Sequence, residues 1–165
     1  MEFIVGETLV YPHHGAVTIT ELGTITVKSE VKKTMTMRVH ASELTIKLPI
    51  ANADLVGVRD VIDAAGLEEV YAVLRDPIVE EAANWSRRFK SNQEKLASDS
   101  VTRVAEVVRD LWRRDQDSGV SAGEKRMLAK SRQLLESELA LALGTNPADT
   151  AAKLDEVLSS TLTEA

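Results

Sequence analysis

Two periods of hydrophobic repetition divide the chain. Up to Pro49 apolar side chains tend to alternate with polar ones. "KTMTMRVH" (33–40) sets Met35, Met37 and Val39 against Thr34, Thr36, Arg38 and His40. "ELTIKLP" (43–49) sets Leu44, Ile46 and Leu48 against Thr45 and Lys47. Side chains of a strand point to opposite faces in turn, so these runs predict strands with one buried face. "ETLVYP", "GAVTITEL" and "TITVK" read the same way, separated by the turn-prone "PHHG" and by Gly23. About five short strands in about 50 residues predict a small, strongly bent antiparallel sheet or barrel.

Beyond the fifties the period lengthens to that of a helix. Residues 59–75 carry helical spacing, interrupted by Gly66 and stopped by Pro77. "NWSRRFKSNQEKLAS" (84–98) predicts about three helical turns. Residues 100–119 place Val101, Val104, Val108, Leu111 and Trp112 on one stripe and end at Gly119, a suitable C-terminal cap. The next helix opens with Ser121 and Glu124, the spacing of a capping box, and buries Met127, Leu128, Leu134, Leu135 and Leu139 in turn. A last helix begins with Asn146 as cap and Pro147 at its first position. The expectation is a β module over 1–52 and an all-α module over 53–165 that includes a C-terminal tail helix. The apolar "PIANADLVGV" would form a packed joint.

Composition narrows the classes. The 165 residues are 44% hydrophobic and 4% aromatic, enough for a core built on aliphatic side chains. The chain has no cysteine, which excludes disulfides, thiol catalysis and thiolate metal sites. No basic and apolar leader opens the sequence, and no apolar run approaches the roughly 20 residues of a membrane span. A soluble cytoplasmic protein is expected. The net charge of −6 is unevenly spread. Residues 84–132 hold 12 basic and 7 acidic side chains, a balance of +5, between flanks of −6 and −5. A local anionic partner such as a phosphate backbone would explain the block, and so would a solvated helical surface laced with ion pairs.

Few residues offer catalytic chemistry. His13 and His14 are adjacent in a turn and diverge, and His40 lies on a strand, so no convergent metal-ligand set is expected. No phosphate loop, dinucleotide fingerprint or nucleophile elbow occurs. Glu68–Glu69 and Glu80–Glu81 are sequence neighbours that a helix turns to different sides. No enzyme activity and no cofactor are expected. Trp112 belongs to the apolar stripe, with Arg113 and Arg114 toward its flank, facing solvent or within reach of phosphate. Trp85 is ambiguous. Phe89 and Leu96 extend a thin apolar stripe from it, which favours core, yet Arg87, Arg88 and Lys90 crowd the same turn. An aromatic at a helix start beside cations also suits a wedge into a duplex held by its phosphates. The residues alone leave the two readings balanced.

Four blocks shift that balance: "VYPHHGAV", "NWSRRFKSNQEKLAS", "VAEVVRDLWRRDQ" and "VSAGEKRMLAKSRQLL", in that order. Together, from about Val5 to about Leu139, the chain resembles the CarD family of bacterial transcription regulators, its actinobacterial members in particular. The resemblance implies a Tudor-like (SH3-like) β domain, similar to the polymerase-interacting domain of transcription-repair coupling factors. That domain would dock on the β-subunit lobe of RNA polymerase within the sigma-containing holoenzyme, by strand-edge pairing. It also implies a helical domain on promoter DNA at the upstream edge of the transcription bubble, stabilising the open complex. Carried over by position, Trp85 is the minor-groove wedge, Arg87, Arg88 and Lys90 contact the backbone around it, and Lys125 adds a further basic contact. On the polymerase side stand Ile25, Val27 and Lys47. Relatives can carry arginine at the position of Ile25, and arginine is also found at that of Lys47, where lysine cannot give the same forked contact. The protein would act as a monomer, associated with the nucleoid through polymerase. A free-standing DNA-binding protein and a purely protein-binding adaptor are the competing expectations.

Overall fold

The N-terminal strands pair in the antiparallel order β4-β3-β2-β1-β5 in this computed structural model, which describes residues 2–77, 84–98 and 100–160. They are β1 (Thr8–Tyr11), β2 (Gly15–Val27), β3 (Glu30–Val39), β4 (Thr45–Pro49) and β5 (Arg59–Asp60). The alternation read in residues 33–40 is real: Met35, Met37 and Val39 are buried with Leu9, Val17, Ile19 and Leu48 in one apolar cluster. Gly23 does not separate two strands. "GAVTITEL" and "TITVK" are one 13-residue strand whose register against β3 shifts between Ile19 and Glu21. A bulge there adds the local twist and bend of a small curved sheet without ending the strand. Leu44 also departs from the pattern. It precedes β4 in a turn and is 46% exposed.

The β2–β3 hairpin turns through Lys28 and Ser29, both at positive φ (49° and 68°). A tight hairpin matches the twist of its strands only with left-handed turn residues, a conformation that Asn and Gly adopt at less cost.

The first compact unit is Met1–Val61 and the second Ile62–Ala165. The division thus falls after Val61, later than the pattern suggests. Residues 50–61 remain with the sheet because a short 3-10 turn (Ile50–Asn52) and α1 (Ala53–Val56) bring Ala53 and Val58 into its core. β5 then pairs Arg59 with Val10 and Asp60 with Leu9. Residues 59–61 are accordingly not helical.

The second unit contains α2 (Ala64–Arg75), α3 (Trp85–Ala97), α4 (Val101–Asp117), α5 (Ala122–Leu143) and α6 (Pro147–Ser160). Gly66 lies within α2, and a Cβ there would stand 2.9 Å from that of Ile62, so glycine permits the close approach of the entering chain. The expected N-terminal caps are present, whereas α4 ends on Ser118 as its cap with Gly119 one position beyond, at positive φ (81°). Ser121 and Glu124 close a capping box on α5, Gly144 ends it in the left-handed conformation, and Asn146 accepts from the Asp149 N–H. The main core joins Val70 and Leu74 of α2, Val108 of α4, Leu135 and Leu139 of α5, and Leu154 and Leu158 of α6. Trp112 packs at its margin, as its stripe predicts. A smaller cluster of Val107, Leu111 and Met127 receives Phe89 and Leu96 from α3.

Candidate nucleic-acid interface

α3 begins where Asn84, in extended conformation, accepts a hydrogen bond from the Arg87 N–H at 2.9 Å. That cap puts Trp85 at the first helical position. Its apolar anchor lies one turn on, because residues four apart share a helix face. The Trp85 and Phe89 rings stack with centroids 5.0 Å apart and planes 17° apart. Phe89 is pressed in turn against the start of α5, where a Cβ on Gly123 would meet its ring at 3.6 Å.

Trp85 is neither core nor fully free, with 45% of its surface exposed. Its indole N–H donates to Oε1 of Glu124 at 3.0 Å. Glu124 is 2% exposed, and the same oxygen accepts from the Ser121 hydroxyl at 3.2 Å and the Ser121 N–H at 3.4 Å. A buried carboxylate is costly unless donors and opposite charge surround it. Arg88 supplies the charge, its Nε 4.0 Å from Oε2 of Glu124. That separation suits an ion pair but exceeds a hydrogen bond, and among the described residues neither atom has a hydrogen-bond partner.

The cations of this region therefore divide. Arg87, Lys90 and Lys125 are exposed, whereas Arg88 is turned toward Glu124 with 14% of its side chain accessible. Farther along, Arg109 is buried, binding Asp110 at 2.8 Å and donating to the Val73 carbonyl at 3.0 Å. Arg113 donates to the Leu74 carbonyl at 3.1 Å, so it ties α4 to α2 instead of facing solvent. Burial, reinforced by Arg109, lowers its pKa. Arg132 bridges Glu136 and Asp155 at 3.1 and 2.8 Å. Much of the +5 block thus holds helices together.

On the sheet, Ile25, Val27 and Lys47 share one face. Lys47 lies opposite Thr36, and Thr36 opposite Glu21, two and three alternations along β2 from Ile25 and Val27. This face is opposite the one carrying Met35 and Met37. The three residues are not one cluster, since Ile25 lies about 13 Å along the strand from Glu21. Lys47 and Val27 are exposed and Ile25 is partly buried. β4 is an edge strand, and beyond Thr18 the far side of β2 has no strand partner among the described residues.

The histidines do not converge. His13 is exposed, His14 packs against Tyr11 and His40 meets Thr18. Among the described residues no group of three or more histidines and carboxylates could hold a metal ion. Nor is any helix among them long and apolar enough to cross a membrane. Glu80–Glu81 lie outside the described residues. The sequence pattern missed Glu124 as a site residue. Its capping-box spacing was visible, but its contact with Trp85 depends on α3 meeting the start of α5.

Two family profiles cover these two units. Residues 69–155 match "CarD, C-terminal domain". Residues 3–62 match "CarD-like/TRCF RID domain". The chain belongs to the CarD family. Among its relatives is YdeB of Bacillus subtilis (strain 168), a candidate transcription factor by name. YdeB is 29% identical over 142 residues, which are 86% of this CarD-family chain and 93% of YdeB. A similar solved structure is the solution NMR structure of the 72-residue N-terminal domain of Myxococcus xanthus CarD. It is 24% identical, with a TM-score of 0.32, and the match covers 36% of this chain and 79% of that one. The Trp85 site lies within the span of the C-terminal profile, and Ile25, Val27 and Lys47 within that of the N-terminal one.

Proposed function

We propose that this CarD-family chain is a transcription regulator that binds the RNA polymerase β subunit at its lobe and promoter DNA at the upstream edge of the bubble, stabilising the open complex. The observation that carries the reading is Trp85, an aromatic ring half exposed at a helix start, braced from beneath by Phe89 and flanked by exposed Arg87 and Lys90. A core tryptophan would be covered. A ring with no role would not be expected to be held by stacking and a buried hydrogen bond while keeping so much of its surface in water. The profile shared with transcription-repair coupling factors, together with the exposed edge strand β4, supports polymerase docking by the first unit.

The energetics require little DNA affinity. Anchoring one unit on polymerase raises the local concentration of the other at the melted edge. A wedge that fits opened DNA better than closed duplex shifts the equilibrium by the difference in affinity alone. About 1.4 kcal/mol of difference shifts the open-to-closed ratio about tenfold. Trp85→Ala should therefore leave polymerase co-purification intact and shorten open-complex lifetime with the cognate holoenzyme. Equal lifetimes for mutant and wild type would remove the wedge from the mechanism. Strong binding to duplex DNA without polymerase, read by gel shift, would instead favour a free-standing DNA-binding protein.

A further inference from the structure

We propose that Glu124 is a positioning residue for Trp85, fixing the indole in the orientation in which it meets DNA. The inference rests on the DNA reading above and deepens it. Two contacts constrain the ring in different ways. Stacking on Phe89 at 17° sets its plane but leaves rotation within that plane weakly determined. The bond from the indole N–H to Oε1 of Glu124 removes that freedom and turns the N–H edge inward.

Helix capping alone does not account for Glu124. The capping bond to the Ser121 N–H is 3.4 Å long, whereas the indole bond is 3.0 Å. A neutral glutamine could supply an oxygen to the same cap without placing a charge at a site only 2% exposed. The charge finds its counterpart in Arg88, which belongs to the same first turn as Trp85. The carboxylate therefore clamps the start of α3, through ring and cation together, onto the start of α5. A half-exposed tryptophan without such a clamp would sample several rotamers and lose that freedom on insertion. Ordering the ring beforehand is worth about threefold to tenfold in affinity.

The test uses the full chain with the cognate holoenzyme on a promoter fragment, reading open-complex lifetime, with thermal unfolding as a check on folding. Glu124→Ala should lose about fivefold of the lifetime gain. Glu124→Gln keeps an acceptor oxygen for the indole but loses the charge that pairs with Arg88, so it should fall between wild type and Glu124→Ala. Trp85→Phe lacks the N–H, so adding Glu124→Ala to it should cost clearly less than in the Trp85 background, only what the α5 cap and the Arg88 pair contribute. A wild-type lifetime for Glu124→Ala would overturn the proposal. So would an equal loss in the Trp85 and Phe backgrounds, which would reduce Glu124 to a helix cap. A second readout separates this idea from the DNA reading. In a Trp112→Phe background Trp85 is the only tryptophan, and Glu124→Ala should raise its quenching by acrylamide. Unchanged quenching refutes positioning even if Trp85→Ala abolishes function. Raised quenching with no effect of Trp85→Ala on lifetime upholds the clamp on the ring, overturns its role at DNA and refutes the wedge itself.

Discussion

His40 sits where the sheet can hold it only at a cost to its charged form. Partial burial, and then the neighbouring Arg38, lower its pKa below the ordinary 6.5. Its Nε2 also meets the Thr18 hydroxyl across the sheet. The unfolded chain therefore takes up this proton at a higher pH than the folded one. The resulting stability is fully present above about pH 6.5 and is lost as pH falls toward the lowered folded value. The thermal midpoint of the N-terminal unit should drop between about pH 7 and pH 5.5, and His40→Gln should flatten that drop. An unchanged slope in the variant would assign the effect to carboxylates. Trp85 shows how far single residues were legible. The apolar spacing to Phe89 and Leu96 correctly indicated how α3 is held down. The partner of the indole N–H was invisible, because it stands 39 positions away and only the packing of two helices brings it near.

At the scale of elements, β4 is the clearest point of attack. As an edge strand it offers unpaired backbone groups, and Lys47 projects from its outer face. On the proposed docking mode, Lys47→Glu should reduce recovery of polymerase in co-purification about tenfold, since reversing a charge at an interface adds repulsion to a lost attraction. Recovery equal to wild type would place the interface elsewhere. Alternation made β3 plain, because Met35, Met37 and Val39 face one core. It failed at Gly23, where a glycine was taken for a break though the ladder continues through it to Val27. β5 left no readable pattern, because a two-residue strand exists only through its pairing with β1. The expected number of five strands was thus reached with one strand divided and another overlooked. The helices were more legible, because Ser121, Asn146 and Gly119 mark their ends with chemistry that acts locally.

The whole molecule is organised by a division that composition blurs. Residues 50–61 look like the approach to a helical domain, yet they complete the sheet, and the second unit begins at Ile62. Local pattern cannot reveal this, since Ala53 and Val58 are recognisable as sheet core only when the strands they cover are in place. Charge shows the same limit. The sequence contains the +5 block but not its allocation, which commits Arg109, Arg113 and Arg132 to contacts between or within helices. That allocation has a counterion corollary. A guanidinium already paired inside the protein displaces no condensed cation from a polyanion, so only the exposed Arg87, Lys90, Arg103, Lys125, Arg126 and Lys130 of that block can do so. At about 0.9 per phosphate neutralised, a log–log plot of duplex affinity against salt should have a slope no steeper than about −5. A steeper slope from titrations at several salt concentrations would mean either that the internal arginines let go of their partners on DNA or that exposed lysines outside the block, such as Lys28, Lys32 and Lys33, also reach phosphates. A shallow one fits the proposed mode, in which the protein would exchange few ions with the chromosome at large and make its contacts only where polymerase had already carried it.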